Sequence, residues 1–245
     1  MIKTFCKKNQ IFSLILAGCL ILFNTSCGLD TFYVIDPPKV THEPSYDTQT
    51  QDELYFKFST VESDYEGITF LGTEVYYKIY NSTSRLNTET SSIYSAANNE
   101  SSSNQSANLL IDKYGYQTLR NSEEPGANIL IPYVNNHPSS KEVEIRLSDF
   151  PEYPAKYSVD GSQHGIPVRS ISKKTSFNFK EFTGTDDLPK STEPIDADYA
   201  YTSTTEEINA YYVALFAIAV ARDSTYTPAY STAVYLGSVK ISLEN

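Results

Sequence analysis

Ile208-Asn209-Ala210-Tyr211-Tyr212-Val213-Ala214-Leu215-Phe216-Ala217-Ile218-Ala219-Val220-Ala221 is the most apolar stretch of the chain beyond its first thirty residues. Two readings compete for it. Its alanines suit a helix, and Ser203-Thr204-Thr205-Glu206 ahead of it has the form of a capping box. In a strand, Val213, Leu215 and Ala217 would point to one face, and Tyr212, Phe216, Ile218 and Val220 to the other. Both faces would then be apolar, as in a central strand covered on both sides and bounded by turns, and the strand is the reading adopted. The loop from Arg222 to Pro228 and the alternating segment from Tyr230 to Ile241 supply a hairpin partner.

The same period of two recurs upstream. Leu54, Phe56 and Phe58 alternate with Tyr55 and Lys57, and Val75, Tyr77 and Ile79 alternate with Glu74, Tyr76, Lys78 and Tyr80. Both patterns predict half-buried antiparallel strands, with outward tyrosines such as Tyr76 and Tyr80 on a wet face. Further strands are expected at Ile129 to Tyr133, Glu142 to Leu147, Lys156 to Val159, Val168 to Ile171 and Ser176 to Phe182. Two stretches break the pattern. From Asn81 to Asn108, 18 of 28 residues are Ser, Thr or Asn, too polar to offset ordering entropy by burial. That composition predicts a mobile start to an insertion spanning residues 81–125, with a short helix possible around Ile93 to Asn99 and better order from Asn108 to Leu119. Thr185 to Glu207 carries seven carboxylates against Lys190 alone and reads as a solvated acidic loop. The expected fold class is therefore all-β, an antiparallel sandwich with a long polar insertion and an acidic loop.

Charge and composition narrow the function. With 19 Lys plus Arg against 30 Asp plus Glu, the 245-residue chain has a formal charge of -11, which excludes nucleic acid as a partner recruited by bulk electrostatics. Neither a G-x-G-x-x-G nor a G-x-x-x-x-G-K-[ST] run occurs, so nucleotide chemistry is not expected and no cofactor is implied.

The amino terminus carries an address. Lys3, Lys7 and Lys8 precede the apolar run Ile11 to Phe23, whose 13 residues suit the core of an export signal and fall short of a membrane span. Asn24-Thr25-Ser26-Cys27 follows and resembles the lipobox of bacterial lipoproteins. The resemblance implies a diacylglyceryl group on the Cys27 thiol, cleavage just before it, and acylation (palmitate or a similar chain) of the new amino terminus. Leu16-Ala17-Gly18-Cys19 is closer to the usual motif, making Cys19 the alternative. Cleavage there would use only half of the apolar run and leave Leu20 to Phe23 after the anchor, which favours Cys27. Residues 1–26 are then a signal peptide, 27–50 an extended stem containing Pro37, Pro38 and Pro44, and 51–245 one elaborated domain. The mature chain would have 219 residues and a charge of -14, with no free thiol for a disulfide, a zinc site or a nucleophile.

Leu54 to Phe58, Gly72 to Tyr80, the apolar strand ending Ala221-Arg222-Asp223, and Ser231-Thr232-Ala233-Val234 resemble the B, C, F and G strands of a fibronectin type III or related immunoglobulin-like sandwich. Because these pieces sit at both ends of the mature chain, the resemblance implies one sandwich with a middle insertion. The Cys27-Gly28-Leu29-Asp30 start, the Pro37-Pro38 stem and this layout also resemble uncharacterised envelope lipoproteins of spirochaetes, families with no established activity to carry over.

Chemistry is sparse. Gly161-Ser162-Gln163-His164-Gly165 has its Ser one place too early for a hydrolase nucleophile elbow and reads as a Gly-bounded turn. His42, His137 and His164 are the only imidazoles, all beside Pro or Gly or close to them. Asp186, Asp187, Asp196 and Asp198 offer hard oxygen ligands for a cation such as Ca²⁺, but Ala200 and Tyr201 stand where the EF-type loop needs a ligand and Gly. They are weak metal candidates, and no catalytic residue is assigned. The expectation is a non-enzymatic, lipid-anchored envelope protein that presents an interaction or structural module to a protein or glycan. A glycan-binding variant of this reading requires a row of exposed tyrosines on one sheet face, drawn from the 20 Tyr of the chain. An envelope hydrolase is the second alternative and requires a deep pocket with a perturbed His or carboxylate.

Overall fold

Every residue from Ala210 to Ala221 is buried, and the stretch is a strand. The structure, a computed structural model, describes residues 34–48, 50–61, 67–97, 103–134, 140–150, 152–171, 175–190, 196–203 and 209–243. Cys19, Cys27 and the whole signal lie outside the described residues, as does His137. The described strands are β1 (Lys39–His42), β2 (Phe56–Ser59), β3 (Ile68–Tyr80), β4 (Gln117–Thr118), β5 (Arg120–Asn121), β6 (Ile131–Pro132) and β7 (Glu142–Arg146). They continue with β8 (Lys156–Val159), β9 (Ser162–Gly165), β10 (Pro167–Val168), β11 (Tyr199–Ala200), β12 (Ala210–Asp223), β13 (Pro228–Tyr230) and β14 (Val234–Ser242). The helices are α1 (Thr83–Ala97), α2 (Ser103–Asn108), which runs into a π turn at Leu109–Lys113, and α3 (Phe179–Thr183).

The strands make a mostly antiparallel, all-β framework with few helices. One sheet has the order β1-β2-β7-β8-β9. The other is built on the long antiparallel pair β3 and β12, with β14 and then β13 along the far edge of β12 and β11, β4 and β6 sharing the far edge of β3. The inward faces of the two sheets meet in one core: Phe56, Phe58, Val143 and Ile145 pack with Val75, Tyr77, Ile79, Val213 and Leu215, and all nine are 0% exposed. Each such side chain contributes roughly 1.5–3 kcal/mol on burial.

The other face of β12 is covered too. Tyr76, Tyr80, Tyr212, Phe216 and Ile218 form a second core with Leu86, Ile93, Leu110 and Tyr116 from the helical segment. This overturns the expectation that Tyr76 and Tyr80 face water, and explains why both sides of β12 are apolar. It also corrects the reading of the polar stretch after Asn81. α1 needs only Leu86, Glu89, Thr90 and Ile93, spaced i, i+3, i+4, i+7, to bury one stripe. The hydroxyls of Thr88, Thr90, Ser92 and Ser95 donate to the carbonyls four residues back, so Ser and Thr that disfavour a helix by propensity are satisfied within it.

Ser176 to Phe182 is a second correction. The Phe177 and Phe179 alternation reads as a strand, but Asn178 is extended, α3 begins at Phe179, and Gly184 in the left-handed region stops it. Phe179 and Phe182, three apart, then reach the core on one helical side.

Gly72 has φ +143, and a Cβ there would sit 2.2 Å from the Ile131 carbonyl oxygen and 2.8 Å from Ile129 Cγ2. Only glycine lets β6 pair with β3 at this point. Gly72→Ala is expected to cost about 1–3 kcal/mol through strain and overpacking, read as a lower urea midpoint. A loss below about 0.5 kcal/mol would mean that β6 yields without consequence.

Candidate binding cleft

β6 and β9 flank a cleft of about 470 Å³, within the range of small-ligand and peptide side-chain sites. Its apolar lining is Leu130, Ile131, Pro132, Val134, Tyr157 and Val159. Asn121, Glu124, Lys141, Asp160, Ser162 and His164 add the polar part. The local sequence builds it simply. Asp160 and Gly161 both have positive φ and make the two-residue turn that joins β8 to β9. Ser162 and His164, two residues apart, therefore fall on the same side of β9. The glycine-bounded segment is thus a strand whose turn lies one residue earlier than the sequence suggested.

Tyr157 is 4% exposed and its hydroxyl donates to the Leu130 carbonyl at 3.0 Å. Burial pushes this phenol up, with the Glu124 charge adding to the effect, so it stays a protonated donor. Lys141 Nζ donates to the Pro132 carbonyl at 3.2 Å, and Asp160 accepts the Glu142 amide at 2.8 Å. The His164 ring stands 6.1 Å from that of Tyr157, and among the described residues no hydroxyl or carboxylate hydrogen-bonds it. Ser162 and His164 share the cleft without forming a nucleophile and base pair. The cleft thus combines an apolar floor with the exposed carboxylates of Glu124 and Asp160.

Three of the four aspartates considered for a metal are paired with cationic side chains. Asp198 is fully buried, and its two carboxylate oxygens receive Arg169 Nη2 at 2.6 Å and Nε at 2.8 Å. Asp196 takes Arg169 Nη2 at 2.7 Å, and Asp186 lies 3.5 Å from Lys180 Nζ. The Asp187 amide is held by the Thr185 hydroxyl at 3.2 Å. Among the described residues no three His, Cys, Asp or Glu side chains are placed to hold a metal. The acidic connection is therefore not solvated throughout: Asp198, Tyr199 and Ala200 turn into the core and β11 pairs in parallel with β3.

Arg169 is itself 0% exposed at the side chain and anchors this centre. Tyr77 donates to Asp198 at 2.6 Å and accepts the Ser170 amide at 3.1 Å. Burial opposes the guanidinium charge, but the bonds and charges of Asp198 and Asp196 outweigh it and raise the Arg169 pKa.

A second buried set lies under α1. Lys78 Nζ donates to Glu89 at 2.8 Å and to the Tyr114 carbonyl, Arg85 Nε reaches Glu89 at 2.8 Å, and Tyr80 donates to the same carboxylate at 2.9 Å. Burial alone would raise the Glu89 pKa, but the hydrogen bonds from Lys78 and Arg85 bring it below its ordinary value. Lys78 is shifted down, chiefly by burial.

Only Tyr94 and Tyr226 stand out as exposed tyrosines among the described residues, one on α1 and one in the turn after β12. No sheet face in this set carries the row of tyrosines that a glycan platform needs. The sequence places Leu130, Ile131, Tyr157 and Val159 on expected strands and His164 in a Gly-bounded segment, but nothing local joins them to Glu124 and Val134 in one cleft. Compared with known proteins, the chain significantly matches no family model, no curated protein and no solved structure.

Proposed function

We propose that this chain is a lipid-anchored protein of a bacterial cell envelope, non-enzymatic, whose β body works as an interaction module held to the membrane through acylated Cys27. The observation that carries the reading is the order Lys3, Lys7 and Lys8, then the 13-residue apolar run, then Asn24-Thr25-Ser26-Cys27. β1 (Lys39–His42) pairs with β2, so the later part of the segment read as a stem lies in the first sheet. Two or more acyl chains, at about 0.8 kcal/mol per buried CH₂, make a durable anchor where one is marginal, so the polypeptide need not touch lipid.

The body is read as a fibronectin type III or immunoglobulin-like sandwich. Supporting this, β1-β2-β7 run side by side in one sheet as A, B and E strands would, and β3-β12-β14 in the other as C, F and G strands would. β8 and β9 extend the first sheet beyond that pattern.

Radiolabelled fatty acid fed to cells making the wild type, Cys27→Ala and Cys19→Ala, followed by detergent partitioning, tests the anchor. Label and detergent partitioning are expected to vanish with Cys27→Ala and persist with Cys19→Ala. The opposite pattern moves the anchor to Cys19, and an unlabelled wild type ends the proposal.

A further inference from the structure

We propose that the cleft between β6 and β9 is the partner-binding site of this module, and that it accepts a polypeptide segment carrying a large apolar side chain beside Lys or Arg. This deepens the interaction reading by naming the partner's chemistry, and it does not involve the acyl anchor.

Three observations converge on that occupant. First, the floor is apolar and pre-formed: Leu130, Ile131 and Tyr157 are at most 7% exposed, yet they line an open volume of about 470 Å³. Val134 at the same cleft is 49% exposed, one of six large apolar side chains left open among the described residues. An apolar side chain seated there would fill the volume against this floor and remove Val134, as well as its own surface, from water, which is the main driving force available at such a site.

Second, the charge at the mouth selects the neighbours of that side chain. Glu124 and Asp160 line the cleft together with Lys141, whose ammonium already donates to the Pro132 carbonyl. Glu124 is exposed and makes no side-chain hydrogen bond or ion pair among the described residues, so its charge is available to a cation. The overall charge of -11 adds a long-range field of the same sign, which repels phosphate headgroups and nucleic acid and steers basic segments inward.

Third, the edge of β9 is closed to strand addition at its His164 end. Asn121 Nδ2 donates to the His164 carbonyl at 2.9 Å, and Ser122 exchanges two bonds with Ile166, its amide donating to the Ile166 carbonyl and its hydroxyl accepting the Ile166 amide. Recognition therefore falls to side chains in the cleft and not to a backbone ladder.

The test is selection of phage-displayed random peptides on the full-length chain in detergent, with affinities of the winners then measured by fluorescence anisotropy. Enriched sequences should combine Lys or Arg with Leu, Ile or Phe and lose affinity as salt rises. Val134→Asp is expected to weaken them about tenfold or more. Glu124→Lys should weaken them about twofold to fivefold, as befits an exposed charge pair. Both positions are solvent-facing, so unchanged urea midpoints will separate lost binding from lost folding. No enrichment, enrichment of acidic sequences, or affinities indifferent to both substitutions overturns the proposal. Retained peptide binding by Cys27→Ala would show that the cleft works even if the anchor assignment fails.

Discussion

Asp198→Ala is expected to lower stability by about 3–5 kcal/mol, the usual cost of stripping one partner from a buried ion pair. The substitution leaves a fully buried guanidinium beside Asp196, a carboxylate whose own side chain is 38% exposed. Tyr77 loses its acceptor in the same step. At a urea m-value of roughly 2 kcal/mol/M the midpoint should fall by about 1.5–2.5 M. The cost belongs to a buried charge left with poorer compensation and not to the loss of an attraction worth that much. The double variant Arg169→Met with Asp198→Leu should therefore regain most of the stability, as apolar replacement of buried pairs often does. If the double variant is as unstable as the single one, the pair contributes specific bonds that packing does not replace. If the single variant matches the wild type, water reaches Arg169 and the centre is not the dry ion pair described above.

The second large effect concerns the helical layer. Glu89→Ala removes the common acceptor of Lys78, Arg85 and Tyr80, leaving the Lys78 ammonium, 7% exposed at its side chain, with the Tyr114 carbonyl. A loss of about 3–5 kcal/mol is expected, accompanied by reduced helical circular dichroism because Glu89 ties α1 to β3 through Lys78 and Tyr80. The pH dependence has a definite sign. Glu89 has a folded pKa below its ordinary 4.5, so the ionised group stabilises the fold fully above 4.5 and that contribution fades as pH falls through the folded value. The stability gap between wild type and Glu89→Gln should be flat at neutral pH and shrink only under acid. Lys78 acts at the other end: its folded pKa lies below the ordinary 10.5, so a penalty present at neutral pH is relieved as pH rises through that depressed value. A gap that instead widened in acid would contradict the assigned role of Glu89.

Both centres show where reading by pattern stops. Asp198 sits in a run of carboxylates whose composition argues for solvent, and nothing local distinguishes it from Asp186, whose side chain is 74% exposed. The difference is Arg169, twenty-nine residues away in sequence and brought alongside by the fold. In the same way α1 is hidden by its serines and threonines, because a helix docked on an existing apolar sheet face needs only a narrow stripe of its own. β8, by contrast, was legible to the residue, and β2, β7 and β12 nearly so, since alternation or an unbroken apolar run is a local property.

From the sequence alone came the antiparallel all-β character, the central position of the strand read at Ile208 to Ala221 and the expected export and acylation signal. Each rests on the order of neighbouring residues. Only the tertiary structure decided which charged groups are dry, that helices cover the second face of β12, and that β6 and β9 leave an open cleft between them. Burial and proximity depend on contacts between distant segments, and side-chain period along the chain carries no record of them.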